Sequence, residues 1–351
     1  MSQPSLPDPP GLPPIKPLSA RLDSQIAHAI DCKTKPPGSL GRIEMLAAQI
    51  ARVQQTLTPV MNTCSLTIFA ADHGIAKAGV SAFPQEVSRQ MVLNFLAGGA
   101  AANVFASTQG IEVRVVDAGL AGEPLSHDRL ISSNIAPGTA SFLDGPAMTG
   151  DQVSRCLEHG VELGKSALGE AVAFGEMGIA NTSSAAMLAH KLTGTPVHNF
   201  VGRGTGVDDD GLARKIEVLS AASARSPDNL SAAEAMAEYG GFEINMMAGA
   251  MLGAAANGRV VLVDGTIATA AAMAAIHLRP QARDYLVFSH ASGDAGHSAM
   301  IAALKVQPLL DLDLRLGEGT GALLAWPLLK CAAAMLCDMA SFDSAGVSGK
   351  A

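Results

Sequence analysis

Glu318 stands between two glycines in the run Asp311-Leu312-Asp313-Leu314-Arg315-Leu316-Gly317-Glu318-Gly319-Thr320-Gly321-Ala322, and an apolar stretch over 323–326 follows. Flanking glycines let the backbone approach a ligand and take positive φ without steric cost. A carboxylate at the start of a buried helix is partly desolvated, which raises its proton affinity and makes it a better base. The competing reading is a solvated glutamate favoured by the dipole of the helix it precedes. A second carboxylate, Glu176, lies in Gly175-Glu176-Met177-Gly178-Ile179-Ala180-Asn181-Thr182-Ser183. Gly202-Arg203-Gly204-Thr205-Gly206, followed by a helix, has the makings of an anion cradle, because successive backbone N–H groups and a helix N-terminus favour a phosphate. Lys215 on that helix is a candidate phosphate partner, with Arg203 as its rival and Ser292 as a further candidate. A tight turn and a solvated lysine are the plainer alternatives.

Other signals exclude chemistry. The glycine run fits neither GxxxxGK[ST] nor GxGxxG in register, so no P-loop or dinucleotide fingerprint is present. The run Val260-Val261-Leu262-Val263-Asp264-Gly265-Thr266 resembles the signature of diphosphate-dependent phosphoribosyltransferases superficially. It carries one acidic residue where those enzymes carry two, so it reads as an ordinary strand-to-helix turn. Asp72-His73-Gly74 has no GxSxG elbow beside it, which argues against a hydrolase. His290 and His297 read as ligand contacts or as satisfied structural histidines.

The elements that must position these residues follow from pattern. Short apolar runs at 64–69, 111–116, 171–174, 197–201, 260–263 and 285–288 alternate with longer helical segments. Most are apolar throughout, as expected of parallel strands covered on both faces, while Glu112 and Arg114 give the second run one exposed face. The expected fold is α/β: a Rossmann-like, doubly wound, mostly parallel six-stranded sheet. Polar, glycine-rich sequence follows each run, and in such sheets ligands bind outside the carboxyl ends of the strands. A first helix is expected over 20–30. A second is expected over 40–54, with Ser39 as its cap and Lys35 and Arg42 near enough to meet an anion. Segments 19–60 and 305–351 read as helical and strandless. They are expected to form a small helical domain beside a large one at 61–304.

Composition bounds the rest. The 351 residues suit one large domain or two modest ones. Hydrophobic residues are 48%, aromatics only 4%, and glycines number 36, which favours helices packed tightly on a sheet over a β-sandwich. A net charge of −8 argues against a nucleic-acid surface. The 5 cysteines form no CxxC pair and the 9 histidines no HExxH, which points to free thiols, a reducing cytoplasm and no metal site. The proline-rich residues 1–18 lack the basic and apolar regions of a signal peptide and are expected to be a disordered leader. No membrane span is expected, since the most apolar stretch, 321–339, is interrupted by Pro327, Lys330 and Asp338.

Taken together, the segments at 34–42, 71–74, 79–84, 90–99, 175–182, 202–206, 240–243 and 314–321 closely resemble the nicotinate-nucleotide:dimethylbenzimidazole phosphoribosyltransferase family. The resemblance runs over about residues 34–342. Departures are Ala180 for the usual Gly, Ser183 for Thr, and Gly293-Asp294-Ala295 for Ala-Glu-Pro. The resemblance implies a homodimer that transfers the phosphoribosyl group of nicotinate mononucleotide to 5,6-dimethylbenzimidazole, without a cofactor. By analogy Glu318 is the catalytic base and Glu176 a supporting carboxylate. Phosphate and ribose fall to Gly178, Asn181, Gly202, Arg203, Gly204, Lys215 and Ser292. A flat, dimethylated base wants an apolar slot with one or two polar contacts, for which Ser81, Phe83, Gln90 and Leu316 are the candidates. The reading from another class is a non-catalytic nucleotide-binding or sensor protein on the same scaffold.

Overall fold

A computed structural model of the chain describes Pro9 and residues 11–204 and 206–348. Residues 1–8 and 10 of the expected leader, and Thr205 of the expected cradle, lie outside the described residues. Residues 11–18 are extended but anchored: Ile15 is buried in the core, and the Tyr285 hydroxyl donates to the Lys16 carbonyl at 2.8 Å.

The chain opens with α1 (Asp23–Asp31) and α2 (Arg42–Gln54), then β1 (Cys64–Ala71), α3 (Glu86–Ala97), α4 (Ala101–Thr108) and β2 (Glu112–Gly119). Next come β3 (Leu130–Ser132), α5 (Gly150–Ser166), β4 (Ala171–Met177), α6 (Asn181–Thr193), α7 (Asp209–Ser223), α8 (Ala232–Tyr239) and α9 (Phe242–Ala256). The last third holds β5 (Val260–Val263), α10 (Thr266–Leu278), β6 (Leu286–Phe288), β7 (His290–Ala291), α11 (Ala295–Leu304), β8 (Leu310–Asp311) and α12 (Thr320–Asp338). Six strands form one sheet in the order β3-β2-β1-β4-β5-β6, with every neighbouring pair parallel. Strand order reverses between β1 and β4, where an open α/β sheet leaves a crevice at its carboxyl edge. Every residue of β1 and of β5 is buried, as strands covered on both faces require.

The six-stranded sheet stands, but one strand is not where its sequence pattern puts it. Residues 197–201 form a 3₁₀ turn (Val197–Phe200) rather than a strand. Val197 and Phe200 are buried three apart, a spacing that serves a helical turn as well as a strand. The sixth strand is β3, only three residues long and partly exposed at the sheet edge, so its apolar signal is weak. Ser39 does not cap α2. Gly41 occupies that position without a side-chain bond, and the Glu44 carboxylate accepts the Leu40 and Gly38 N–H groups instead. Lys35 pairs with Glu44 at 2.8 Å and Arg42 donates to the Gln307 carbonyl at 2.5 Å, so both cations are engaged within the protein.

Segments from the two ends pack together. The Lys33 ammonium donates to the Met339 carbonyl at 2.6 Å, and α12 lies against α2, α4, β4 and β5. The C-terminal segment is not strandless, because β8 pairs with β7 in a two-stranded ribbon. Nor does Pro327 break α12, which runs unbroken from Thr320 to Asp338. A proline strands the carbonyl four residues earlier; here that carbonyl, Leu323, accepts the Gln109 side chain at 2.9 Å. By length and composition α12 and the stretch Glu86–Thr108 could each cross a bilayer. Most of α12 is buried inside the protein, and the other stretch is two helices separated by Gly98 at φ 84°.

Candidate active site

A cavity of about 400 Å³ opens at the carboxyl ends of β4 and β5. Glu176 and Glu318 line it together, as do Asp264 and Asp294. Glu176 is the penultimate residue of β4, and Glu318 precedes α12. Two glycines let these segments touch. A Cβ on Gly175 would stand 2.4 Å from the Glu318 carbonyl oxygen, and one on Gly317 would stand 2.3 Å from Glu176 Oε1. Glu318 holds φ 62° between Gly317 and Gly319, both at φ 86°.

Glu318 is buried, and its Oε2 accepts the Ala102 N–H at 3.4 Å. That N–H belongs to the first turn of α4, so the carboxylate faces the positive end of a helix other than its own. Its solvated reading does not hold. Burial raises its proton affinity above the ordinary carboxylate value, the Ala102 N–H opposes this, and the charge of Asp264 adds to it. Glu176 is also buried, and burial pushes its pKa up to about 8. The Asn181 amide, donating to Oε2 at 2.5 Å, and the Glu318 backbone N–H favour its ionised form, whereas the charges of Glu243 and Asp264 work against it.

The anion cradle lies at one end of the cavity. Gly204 lines it at φ 52°, and Lys215 is 1% exposed with its ammonium donating to Thr182 Oγ1 at 2.7 Å. Burial lowers the Lys215 pKa to about 8, against the pull of Asp294. Ser292 and Gly178 line the cavity as well, as does Asn181 at the start of α6. Gly202 is buried behind the cradle, its carbonyl 3.5 Å from the Lys215 ammonium. Arg203 is turned away: it pairs with Asp209 and donates to the Val207 carbonyl at 3.0 Å. Of the two rival cations only Lys215 lies against the cradle, buried behind Gly204 and Thr182 rather than lining the cavity itself.

At the mouth Phe83 and Leu316, 50% and 57% exposed, combine with Val87 and Met91 of α3 to form an apolar slot. Ser81 and Gln90 lie outside the lining; the Ser81 hydroxyl accepts the Phe83 N–H at 3.4 Å, and Gln90 is exposed one position before Met91 on α3.

Several further polar residues gather here: Asp264 and Asp294, which sequence reasoning gave no role, and His290, which it read as a ligand contact or a structural histidine. Asp264 and His290 line the cavity. Asp294 sits within the cradle, accepting the Gly204 N–H at 3.2 Å and capping α11 through the Gly296 N–H at 3.0 Å. Its place at the centre of the Gly293-Asp294-Ala295 departure was the signal available. His73 is structural: fully buried, it bonds Glu243 at 2.7 Å and Ser184 at 3.0 Å beneath Gly178. His297 bonds Thr269 at 2.9 Å, and burial beside His290 drops its pKa to about 4. Among the described residues no group of acidic, histidine or cysteine side chains is arranged to hold a metal ion.

Known proteins match this chain along nearly its whole length. A family described as phosphoribosyltransferase matches residues 15–347. A nicotinate-nucleotide--dimethylbenzimidazole phosphoribosyltransferase from Cupriavidus taiwanensis is 52% identical over 339 residues, covering 96% of this chain and 98% of the relative. The protein of the same name from Aromatoleum aromaticum is 51% identical, covering 94% and 96%. The crystal structure of CobT from Thermus thermophilus superposes with a TM-score of 0.89 at 44% identity, covering 93% of this chain and 99% of that one.

Proposed function

This chain belongs to the nicotinate-nucleotide:dimethylbenzimidazole phosphoribosyltransferase family, and on that premise we propose that its cavity moves a phosphoribosyl group from nicotinate mononucleotide to 5,6-dimethylbenzimidazole. The products are α-ribazole 5′-phosphate, an intermediate of cobalamin assembly, and nicotinate. The observation that carries the reading is the meeting of the buried Glu176 and Glu318 carboxylates in one cavity, with the buried Lys215 ammonium behind its Thr182 wall and an apolar slot at its mouth.

The chemistry suits these groups. Nicotinate leaves as a neutral pyridine from a cationic pyridinium, so no acid is needed to expel it. One benzimidazole nitrogen attacks C1′ with its lone pair as the C1′–pyridinium bond breaks, and the electrons of that bond return to the pyridine nitrogen. The benzimidazole becomes cationic and its other N–H proton passes to a base. Glu318, desolvated and held by one N–H, fits that base. Glu176 faces the same cavity, and once the pyridinium charge of the bound mononucleotide favours its ionised form it suits the oxocarbenium charge that develops at C1′. Attack from the face opposite nicotinate turns the β linkage into an α linkage. The two bases therefore occupy opposite sides of the ribose, with the apolar slot of Phe83 and Leu316 taking the dimethylated ring. Lys215 holds the 5′-phosphate in exchange for its bond to Thr182, and the Gly204 N–H joins it once released from Asp294. The helical segments 19–60 and 305–351 act in this reading as the lobe that presents Glu318.

Incubating the purified chain with nicotinate mononucleotide and dimethylbenzimidazole in the presence of EDTA tests this directly. The expected result is α-ribazole phosphate and nicotinate in equal amounts. No transfer under any divalent-metal condition would favour a binding or sensor protein instead.

A further inference from the structure

Asp264 follows β5, is 2% exposed, and has no part in the chemistry above. Its side chain does not serve its own turn. Oδ2 accepts the Gly319 N–H at 3.1 Å and Oδ1 accepts the Ala322 N–H at 3.0 Å. These N–H groups belong to the start of α12, where a helix leaves its first donors without partners. The cap position of α12 is Gly319, which has no side chain to supply one. Asp264 therefore caps α12 from another element.

The capped turn is the one that carries Glu318. Residues 317, 318 and 319 all hold left-handed backbone, at φ 86°, 62° and 86°. Glycine adopts that conformation freely, whereas a residue with a Cβ does so only when its surroundings enforce it. A carboxylate bonded to backbone N–H groups on both oxygens supplies strong, directional restraint directly after Glu318. The restraint is itself packed. His290 Nε2 lies 3.7 Å from Asp264 Oδ1 and has no hydrogen-bond partner among the described residues, and a Cβ on Gly321 would stand 1.9 Å from the His290 ring.

We propose that Asp264 is a positioning residue for the transfer: through the Gly319 and Ala322 N–H groups it fixes the left-handed turn that aims the Glu318 carboxylate into the cavity. This inference rests on Glu318 as the base. Asp264→Asn keeps the size but offers an acceptor to only one of the two N–H groups and a clashing NH₂ to the other.

The test is steady-state kinetics on the full chain with nicotinate mononucleotide and dimethylbenzimidazole. In folded Asp264→Asn, kcat falls about 10–100-fold, the scale of a misplaced reacting group. KM for the mononucleotide stays within about threefold, because the phosphate anchor is untouched. The double variant Glu318→Gln with Asp264→Asn turns over no more slowly than Glu318→Gln alone, since residues acting as one unit do not add. Near-wild-type kcat in Asp264→Asn, or fully additive losses in the double variant, overturns the proposal. Asp264→Ser is the second variant, and failure of both to fold assigns the residue to stability and also overturns it. A wild type that makes no product sinks the function reading along with this proposal, whereas normal turnover with an unaffected Asp264→Asn sinks only the proposal.

Discussion

Glu318 is the residue to which the proposed function assigns the base, and its surroundings separate two outcomes for Glu318→Gln. The substitution is nearly isosteric and keeps the left-handed turn, so the fold and both ligand pockets persist. If Glu318 takes the benzimidazole proton, kcat falls about 10²–10⁴-fold, the usual share of a general base. That loss exceeds the loss in Glu176→Gln. A base works only when ionised, so wild-type kcat declines as pH falls through the Glu318 pKa, which burial sets above the ordinary carboxylate value. That acidic limb disappears in Glu318→Gln. A purely structural Glu318 gives the opposite pattern, with altered melting temperature and unchanged kcat, so both are measured on one sample. Glu318 was legible beforehand because its signal is local: two flanking glycines and an apolar run. Asp264 was not, because its hydrogen-bond partners lie 55 and 58 residues further along the chain. Arg203 was a rival phosphate partner to Lys215 for a different reason: Val207 and Asp209 are near in sequence, but only the fold shows that they turn it away.

Among the elements, α5 and α9 pack closely along their length, and glycines permit it. Gly160 and Gly164 on α5 abut the backbone of Met246 and Ala250 on α9, and Gly249 and Gly253 on α9 abut that of Leu157 and Val161 on α5, both pairs at one-turn spacing. A Cβ on Gly164 would stand 2.0 Å from the Ala250 carbonyl oxygen, and one on Gly160 would stand 2.0 Å from that of Met246. Glycine within a helix normally costs about 0.5–1 kcal/mol relative to alanine. Gly164→Ala should nonetheless destabilise the protein, by about 1–3 kcal/mol, because the added methyl forces two backbones apart. Denaturant titration reads the sign, and a more stable Gly164→Ala would mean that the helices do not touch as described. Richness in glycine and alanine was enough to expect helices packed tightly on a sheet. The particular pairing was hidden, because which helix meets α5 is a property of the sheet's order. Strand identity failed for a related reason at 197–201, where apolar residues three apart suited a 3₁₀ turn equally. Edge strand β3 was missed because three half-exposed residues carry little pattern.

At the scale of the whole molecule, the fold carries a cost concentrated in the cavity. Burial raises the pKa of Glu176 to about 8 and lowers that of Lys215 to about 8. From about pH 4.5 to 8 the folded chain keeps the Glu176 proton that an unfolded chain has released, so this group makes stability fall as pH rises through that window. Lys215 acts in the other direction: its cost is present below pH 8 and fades as pH rises from about 8 toward the ordinary lysine value, where the unfolded chain still holds the proton. Both costs overlap near pH 7–8. A ligand carrying a pyridinium and a phosphate offsets each with a charge of opposite sign. The separating variant is Glu176→Gln, which resembles the protonated glutamate at every pH. Its melting temperature should match the wild type near pH 5 and exceed it increasingly up to pH 8, while kcat is reduced, as expected where function holds a residue in an unfavourable state. Melting curves of both proteins across that range decide the matter. A gap that is constant with pH, or one that shrinks toward pH 8, would mean that Glu176 is not held protonated by burial.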